Sequence, residues 1–299
     1  MDVSKVIIGT WPLSGDYGAV ELKDVQEVLE LCYNNGFKNF DTAPSYGNSF
    51  MEFCLGKTFY KKSDVNIDTK IGNLPFEGKS FSVNNLKKSV EQSLKRLSIE
   101  TINILYLHNP RNDVASYDDL IDLLDRLKDE GKIRYKGISL AKSFNYEQYV
   151  DLNAFDVIQD DINLLRLEPL YKAYSASTKL IARSPLASGL LGGHLTDTTV
   201  FEPDDQRSSW LNGDRLKYLL KRVDAIKENT NDTLFATSVK YLLQHHKIDN
   251  VIFGVKKVNH VQQLCDAIQE SKLDDNTIQI LEELYKNDFG LKNKDQYRY

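Results

Sequence analysis

The chain has 299 residues, a length that suits two average domains or one large α/β barrel. Its 38 basic and 43 acidic residues give a formal net charge of −5 and are mixed along the chain, so no basic stripe marks a nucleic-acid partner. No run of about 18 apolar residues predicts a membrane-spanning helix, and residues 1–11 lack the pattern of a signal peptide. We therefore expect a cytoplasmic protein that binds neither nucleic acid nor membrane.

Eight short apolar runs predict β-strands. In chain order they are residues 5–10, 39–42, 65–70, 102–108, 134–139, 156–161, 179–185 and 250–255. Helical patterns lie between them, and we expect a helix after each strand. This alternation predicts a parallel sheet with right-handed crossovers, and eight such units favour a closed (β/α)8 TIM barrel.

An open, doubly wound sheet is the alternative fold. No predicted strand is followed by the G-x-G-x-x-G fingerprint of such sheets, and the nearest segment, SGLLGG at 188–193, has the wrong spacing. Pro and Gly residues are too scattered to mark a linker, so we interpret residues 1–299 as a single domain.

Two features depart from a minimal barrel. Segment 192–214, after the seventh strand, is longer and more polar than an ordinary loop and predicts a lid or cofactor clasp. The first strand begins close to the first residue, so we expect little or no hairpin over the N-terminal mouth of the barrel.

Four polar side chains are predicted to converge at the C-terminal face of the barrel. Asp41 ends the second strand, Tyr46 follows it by a short loop, Lys70 ends the third strand and His108 ends the fourth. Residues at the C-terminal ends of barrel strands face one another, so all four should enter one pocket.

These residues, in the segments DTAPSYG (41–47), TK (69–70) and LYLHNP (105–110), resemble the aldo-keto reductase family. The resemblance continues through KGIS (136–139), VIQDDINLL (157–165), RSPLASGLLGG (183–193) and VIFGVKK (251–257). It implies reduction of an aldehyde or ketone, with a sugar among the candidates, by a nicotinamide cofactor on a (β/α)8 barrel.

The residue types suit that chemistry. Charge grows on the carbonyl oxygen during hydride transfer, and Tyr46 is the expected proton donor. Lys70 is expected to lower the pKa of the phenol, Asp41 to hold Lys70, and His108 to orient the carbonyl. Trp11 and Trp210 are expected to line the substrate pocket together with Tyr46 and His108.

The resemblance also implies a cofactor site. Ser139 and Gln159 would bind the carboxamide, and Arg183 would lie against the nicotinamide where the family often has an aromatic residue. The pyrophosphate would be held by the loop after the seventh strand, which includes Ser184, Leu186, Ser188, Gly189 and Leu190.

The strand-eight segment matches the family's adenosine-phosphate segment, and it contains Gly254, Lys256 and Lys257. The two lysines could pair with a ribose 2′-phosphate, which favours NADPH over NADH. Leu140 and Leu264 replace asparagines that are usual in the family.

Two other functions are weighed against the reductase. A nucleotide-binding subunit that acts as a sensor or assembly component would keep the barrel and show little turnover. A metal-dependent hydrolase or an aldolase would need clustered metal ligands or a Schiff-base lysine without a tyrosine donor. We expect no metal, and the sequence leaves open whether the protein is a monomer or a homo-oligomer.

Overall fold

A computed structural model describes residues 1–111, 114–142, 144–291 and 299. Eight parallel strands form a closed barrel in which every strand pairs with its neighbours in sequence. They are β1 (Val6–Gly9), β2 (Asn39–Asp41), β3 (Asn66–Ile71), β4 (Ile102–His108), β5 (Ile133–Ser139), β6 (Val157–Asp161), β7 (Lys179–Arg183) and β8 (Asn250–Gly254). The predicted strands and the TIM-barrel fold are confirmed.

Eight α-helices surround the strands in the described part of the chain. They are α1 (Leu22–Asn34), α2 (Phe50–Thr58), α3 (Val83–Leu97), α4 (Tyr117–Asp129), α5 (Gly213–Glu228), α6 (Leu234–Gln244), α7 (Val258–Gln269) and α8 (Asp275–Lys286). Their apolar faces cover the outside of the barrel and form the main core with the outward-facing strand residues.

The expectation that each strand is followed by an α-helix is wrong after β5 and β6. The described residues there form only short 3-10 helices, which are Tyr146–Gln148, Leu152–Ala154 and Glu168–Tyr171. In the first segment, the Tyr146 hydroxyl donates to the carbonyl of Pro110 and accepts from the Ala141 N–H, which ties the chain to the loop after β4.

The interior of the barrel is filled by its own side chains. One apolar layer consists of Ile7, Ile104, Tyr106, Val157, Ile181 and Ile252. Gly137 makes room for this layer, because a Cβ there would lie 2.5 Å from a ring carbon of Tyr106. The barrel is therefore a packed core whose ligand site must lie at one end.

The N-terminal mouth is closed by hydrogen bonds. The Ser4 carbonyl accepts from the Asn250 amide at 3.1 Å, and the Asn39 amide oxygen accepts from Asn66 at 2.9 Å. Arg134 donates to Asn66 at 2.9 Å. Residues 1–5 contain one 3-10 helix, Val3–Lys5, and no hairpin, as expected.

No helix in the described ranges has the length and apolar character needed to cross a membrane.

The contact between α2 and α3 depends on Gly56, where a Cβ would lie 2.2 Å from the Arg96 carbonyl oxygen. We expect Gly56→Ala to lower the free energy of unfolding by about 2 kcal/mol, because the backbone of α3 must move. Urea denaturation measures this effect. Lys57→Ala, on the exposed face of α2, is the control and should change stability by less than about 0.5 kcal/mol. Equal stability of both variants would contradict the tight contact.

Candidate active site

The four converging side chains meet at the C-terminal face of the barrel. Asp41 lies at the end of β2, where it pairs in register with Gly9 of β1 and Asp68 of β3. Lys70 and Tyr106 are register partners on β3 and β4, and His108 lies two residues further along β4. Alternation along a strand puts Lys70 and His108 on the inward face.

Lys70 and Asp41 form a buried ion pair. The Lys70 Nζ lies 2.6 Å from Asp41 Oδ1, with exposed fractions of 1% and 5% for the two side chains. The ammonium also donates to the Thr42 carbonyl at 2.9 Å. Burial disfavours the charge, but Asp41 and Tyr46 outweigh burial and the pKa of Lys70 is raised. Lys70 is therefore a fixed cation at neutral pH.

A chain of hydrogen bonds continues from the second oxygen of Asp41. Gln159 Nε2 donates to Asp41 Oδ2 at 3.0 Å, and Ser139 Oγ donates to Gln159 Oε1 at 2.9 Å. All three side chains are buried. These bonds fix the orientation of the Gln159 amide, so the two predicted carboxamide-binding residues adjoin the ion pair.

Tyr46 lies directly above Lys70, with its hydroxyl 3.2 Å from Nζ. The loop is shaped as the sequence indicates. Gly47 has a φ of +56°, and a Cβ there would lie 2.7 Å from the Ser14 carbonyl oxygen. The Pro44 carbonyl accepts from the Ser49 N–H at 2.7 Å and closes the turn. Only glycine fits at position 47 without strain.

The pKa of Tyr46 is raised, whereas the sequence analysis expects Lys70 to lower it. Burial raises the pKa, and Lys70 lowers it by a smaller amount, so the pKa stays above that of free tyrosine. The lysine acts in the expected direction, but the phenol remains protonated in this state. Tyr46 is therefore a hydrogen-bond donor poised beside a cation.

His108 is a neutral imidazole. Burial, Lys70 and Arg183 lower its pKa well below the usual value. Its ring meets the Tyr46 ring edge-on, with 6.2 Å between centroids, and its Nδ1 has no hydrogen-bond partner among the described residues. A neutral imidazole donates from one nitrogen only, which suits orientation of an acceptor such as a carbonyl oxygen.

Trp11 forms one wall of the cleft. Its ring stacks beside Tyr46 with 6.2 Å between centroids, and Tyr17 meets its edge at 5.0 Å. Its Nε1 donates to Asp16 at 2.6 Å. The structure therefore places this predicted substrate residue next to the phenol.

Arg183 ends β7 on the same face of the barrel. Its Nη2 lies 2.9 Å from Asp161 Oδ2 and donates to the Leu140 carbonyl. Its Nε is buried and has no acceptor in the described part of the protein. The guanidinium is thus held between the ends of β5, β6 and β7, close enough to lower the pKa of His108.

The loop after β7 has an unusual backbone. Ser184, Ser188 and Gly189 all have positive φ, and the 3-10 helix Ala187–Gly192 includes the last two. Arg207 donates to both carboxylate oxygens of Asp205 and to the Ser188 carbonyl, the last at 3.3 Å. Segment 192–214 therefore folds back onto this loop. Leu186 is partly buried and Leu190 is buried, so both support the loop.

The predicted phosphate residues lie at the edge of the same face. Gly254 lies against Pro12, where a Cβ would come within 2.8 Å. The Lys256 ammonium donates to the carbonyls of Tyr17 and Gly18, so it links β8 to the loop after β1. Lys257 is exposed.

Sequence reasoning missed Glu52. It lies on α2, is fully buried, and accepts from Thr69 Oγ1 at 2.7 Å and from Arg96 Nε at 2.7 Å. Because Thr69 precedes Lys70 and α2 follows the Tyr46 loop, this carboxylate connects the two elements that carry the reactive pair. A single acid inside the apolar run FMEFCLG was the available signal.

Tyr299 was also missed. Its hydroxyl lies 3.2 Å from Ser188 Oγ, and its ring lies 6.2 Å from the Trp210 ring. Residue 299 thus reaches the clasp, with Trp210 beside it. No periodicity or spacing in the sequence could indicate this contact.

We expect Glu52→Gln to lower the free energy of unfolding by about 3 kcal/mol, because Arg96 would lose its buried carboxylate partner. Urea denaturation measures the change. Glu91→Gln removes the exposed pair with Lys132 and should cost less than about 1 kcal/mol. A Glu52 variant as stable as the Glu91 variant would show that the buried carboxylate contributes little.

Comparisons with known proteins agree with this architecture. The sequence model of the Aldo/keto reductase family matches residues 5–286. L-galactose dehydrogenase of Arabidopsis thaliana is 29% identical, with 90% of this chain and 86% of that protein aligned. A probable voltage-gated potassium channel subunit beta of the same plant is 24% identical, with 90% and 88% aligned.

The structure of glycerol dehydrogenase AKR11B4 from Gluconobacter oxydans superposes with a TM-score of 0.80 at 22% identity, covering 99% of this chain and 95% of that one. At that identity the superposition supports the fold alone. The family match extends over nearly the whole chain, and the protein belongs to the aldo/keto reductase family.

Proposed function

We propose that this protein reduces an aldehyde or ketone to an alcohol in the cytoplasm, with NADPH as the cofactor and Tyr46 as the proton donor. The observation that carries the proposal is the Tyr46 hydroxyl, 3.2 Å from an ammonium that is itself held by Asp41 at 2.6 Å. A small carbonyl compound, with a sugar among the candidates, is the substrate.

The face around Arg183 has features that fit a dinucleotide. A Cβ on Gly189 would lie 3.1 Å from the Arg207 guanidinium. Because glycine has no Cβ, a ligand can approach the backbone closely at this position. Ser139 and Gln159 would bind the carboxamide, Arg183 would lie against the ring, and residues 184–190 would hold the pyrophosphate. When bound, the cofactor supplies the hydride to the carbonyl carbon.

The protein's own residues manage the charge that develops on the carbonyl oxygen. Neutral His108 donates a hydrogen bond to that oxygen, and Tyr46 donates first a hydrogen bond and then its proton. Lys70 stabilises the phenolate that remains, since burial alone would disfavour it. Asp41 keeps Lys70 charged and in place. Trp11 and Trp210 exclude water from the cleft.

A second candidate function is that of a subunit in a larger assembly, which the name of the potassium channel subunit beta relative suggests. Asp41, Tyr46, Lys70 and His108 are all present and grouped, which favours the enzyme. Purified protein that binds NADPH tightly and consumes none with a broad panel of carbonyl compounds would favour the subunit.

We expect Tyr46→Phe to bind NADPH within about twofold of the original protein and to lose about 10²–10⁴-fold in kcat, because the proton donor is gone. The measurement is the absorbance of reduced cofactor during turnover of a reactive aldehyde. Tyr60→Phe, at an exposed tyrosine of the same region, is the matched control and should retain full activity. Undiminished turnover by Tyr46→Phe would show that Tyr46 is not the proton donor.

We expect NADPH to bind about tenfold more tightly than NADH, through Lys256 and Lys257. Tryptophan quenching gives both dissociation constants. Lys257→Met should weaken NADPH binding and leave NADH binding unchanged, since only NADPH has the 2′-phosphate. Lys286→Met on α8 is the control. Equal weakening of both cofactors by Lys257→Met would argue against 2′-phosphate recognition.

A further inference from the structure

Lys142 lies in the segment after β5 and is partly buried. Its ammonium sits 3.4 Å from the centroid of the Tyr299 ring. Among the described residues it forms no ion pair with a carboxylate; Asp161, whose charge raises the pKa of Lys142, is bound by Arg183 at 2.9 Å. Lys142 is therefore a cation in the cleft wall whose contact is an aromatic face.

The surroundings of Lys142 are positively charged. Burial lowers its pKa to about 8, and Arg183, Arg166 and Arg215 add to that effect while Asp161 opposes it. Asp160 pairs with Arg166 at 2.9 Å and Asp161 with Arg183 at 2.9 Å, so Lys142 shares two carboxylates with two arginines. An excess of positive charge in a partly buried site is costly, and an anionic ligand would relieve that cost.

Arg183 links Lys142 to the reacting groups. Arg183 has a buried Nε without an acceptor among the described residues, and its charge lowers the pKa of His108. The same guanidinium lowers the pKa of Tyr46. Lys142 thus interacts electrostatically with an arginine whose charge also acts on His108 and Tyr46.

We propose that Lys142, together with Arg183, binds an anionic group of the substrate, so that this reductase acts on carbonyl compounds that carry a carboxylate or a phosphate. The inference rests on the proposed reductase function. Lys256, Lys257 and residues 184–190 are already the proposed sites of the cofactor's phosphates, which leaves Lys142 for the substrate.

The test compares two aldehydes of equal chain length, 5-oxopentanoate and pentanal. We expect the original protein to reduce 5-oxopentanoate with a kcat/KM about tenfold above that of pentanal. Lys142→Met should lose about tenfold on 5-oxopentanoate and less than about twofold on pentanal. Lys142→Arg should keep the preference, and Lys286→Met is the matched surface control. Equal losses on both aldehydes, or no loss on either, would overturn the proposal.

A pH profile provides a second readout. The groups that face Lys142 are Asp161 on β6, Arg183 on β7, Arg166, Arg215 on α5 and Tyr299. The pKa of Tyr299 is raised by burial, so its phenol stays neutral. We expect kcat/KM for 5-oxopentanoate to fall as the pH rises through about 8, because the ammonium loses its proton, whereas pentanal should show no such step. A step shared by both aldehydes would contradict the assignment.

Binding experiments separate this inference from the proposed function. Glutarate, which has no carbonyl to reduce, should quench tryptophan fluorescence in the original protein and about tenfold more weakly in Lys142→Met. Failure to reduce any aldehyde would disprove the proposed reductase function. The glutarate result would still show whether Lys142 binds an anion. If Lys142→Met weakens NADPH binding and leaves glutarate binding unchanged, the anion is the cofactor's pyrophosphate and the substrate assignment is wrong.

Discussion

The ion pair between Lys70 and Asp41 is the interaction on which the rest of the cleft depends. Both side chains are nearly fully buried, and removing either partner would leave an isolated charge at a cost of about 3–5 kcal/mol. Because Asp41 lies on β2 and Lys70 on β3, the pair forms only in the observed register of the two strands. The reactive group is therefore assembled only when these two strands of the barrel pair in this register.

The pair also determines the charge state of its neighbours. Lys70 stays protonated, Tyr46 stays a phenol because burial outweighs the ammonium, and His108 stays neutral between Lys70 and Arg183. Gln159 donates to the second oxygen of Asp41, so the ion pair also fixes a side chain of the proposed nicotinamide site. Glu52 supports the same geometry from the outer side of the barrel. A cleft with two fixed cations, Lys70 and Arg183, and two neutral donors suits a carbonyl oxygen that gains charge.

The repeating part of the fold was predictable because buried parallel strands read as short apolar runs at regular intervals. The missing helix after β5 was not, since the bond from the Tyr146 hydroxyl to the Pro110 carbonyl joins residues 36 apart in the chain. The role of Glu52 was not predictable, because its partner Arg96 lies 44 residues later in the chain. Tyr299 gave no signal at all, because its partners Ser188 and Trp210 lie about a hundred residues away.

The amino-acid sequence by itself determined the order of the eight strands, the resemblance to the family, and the candidate group Asp41, Tyr46, Lys70 and His108, because periodicity and motif spacing are local properties. Only the tertiary structure decided how the N-terminal mouth is closed, which way the pKa of Tyr46 shifts, and that the Lys142 ammonium lies over the ring of Tyr299. These features depend on burial and on charges that separate strands bring together, so no local sequence pattern predicts them.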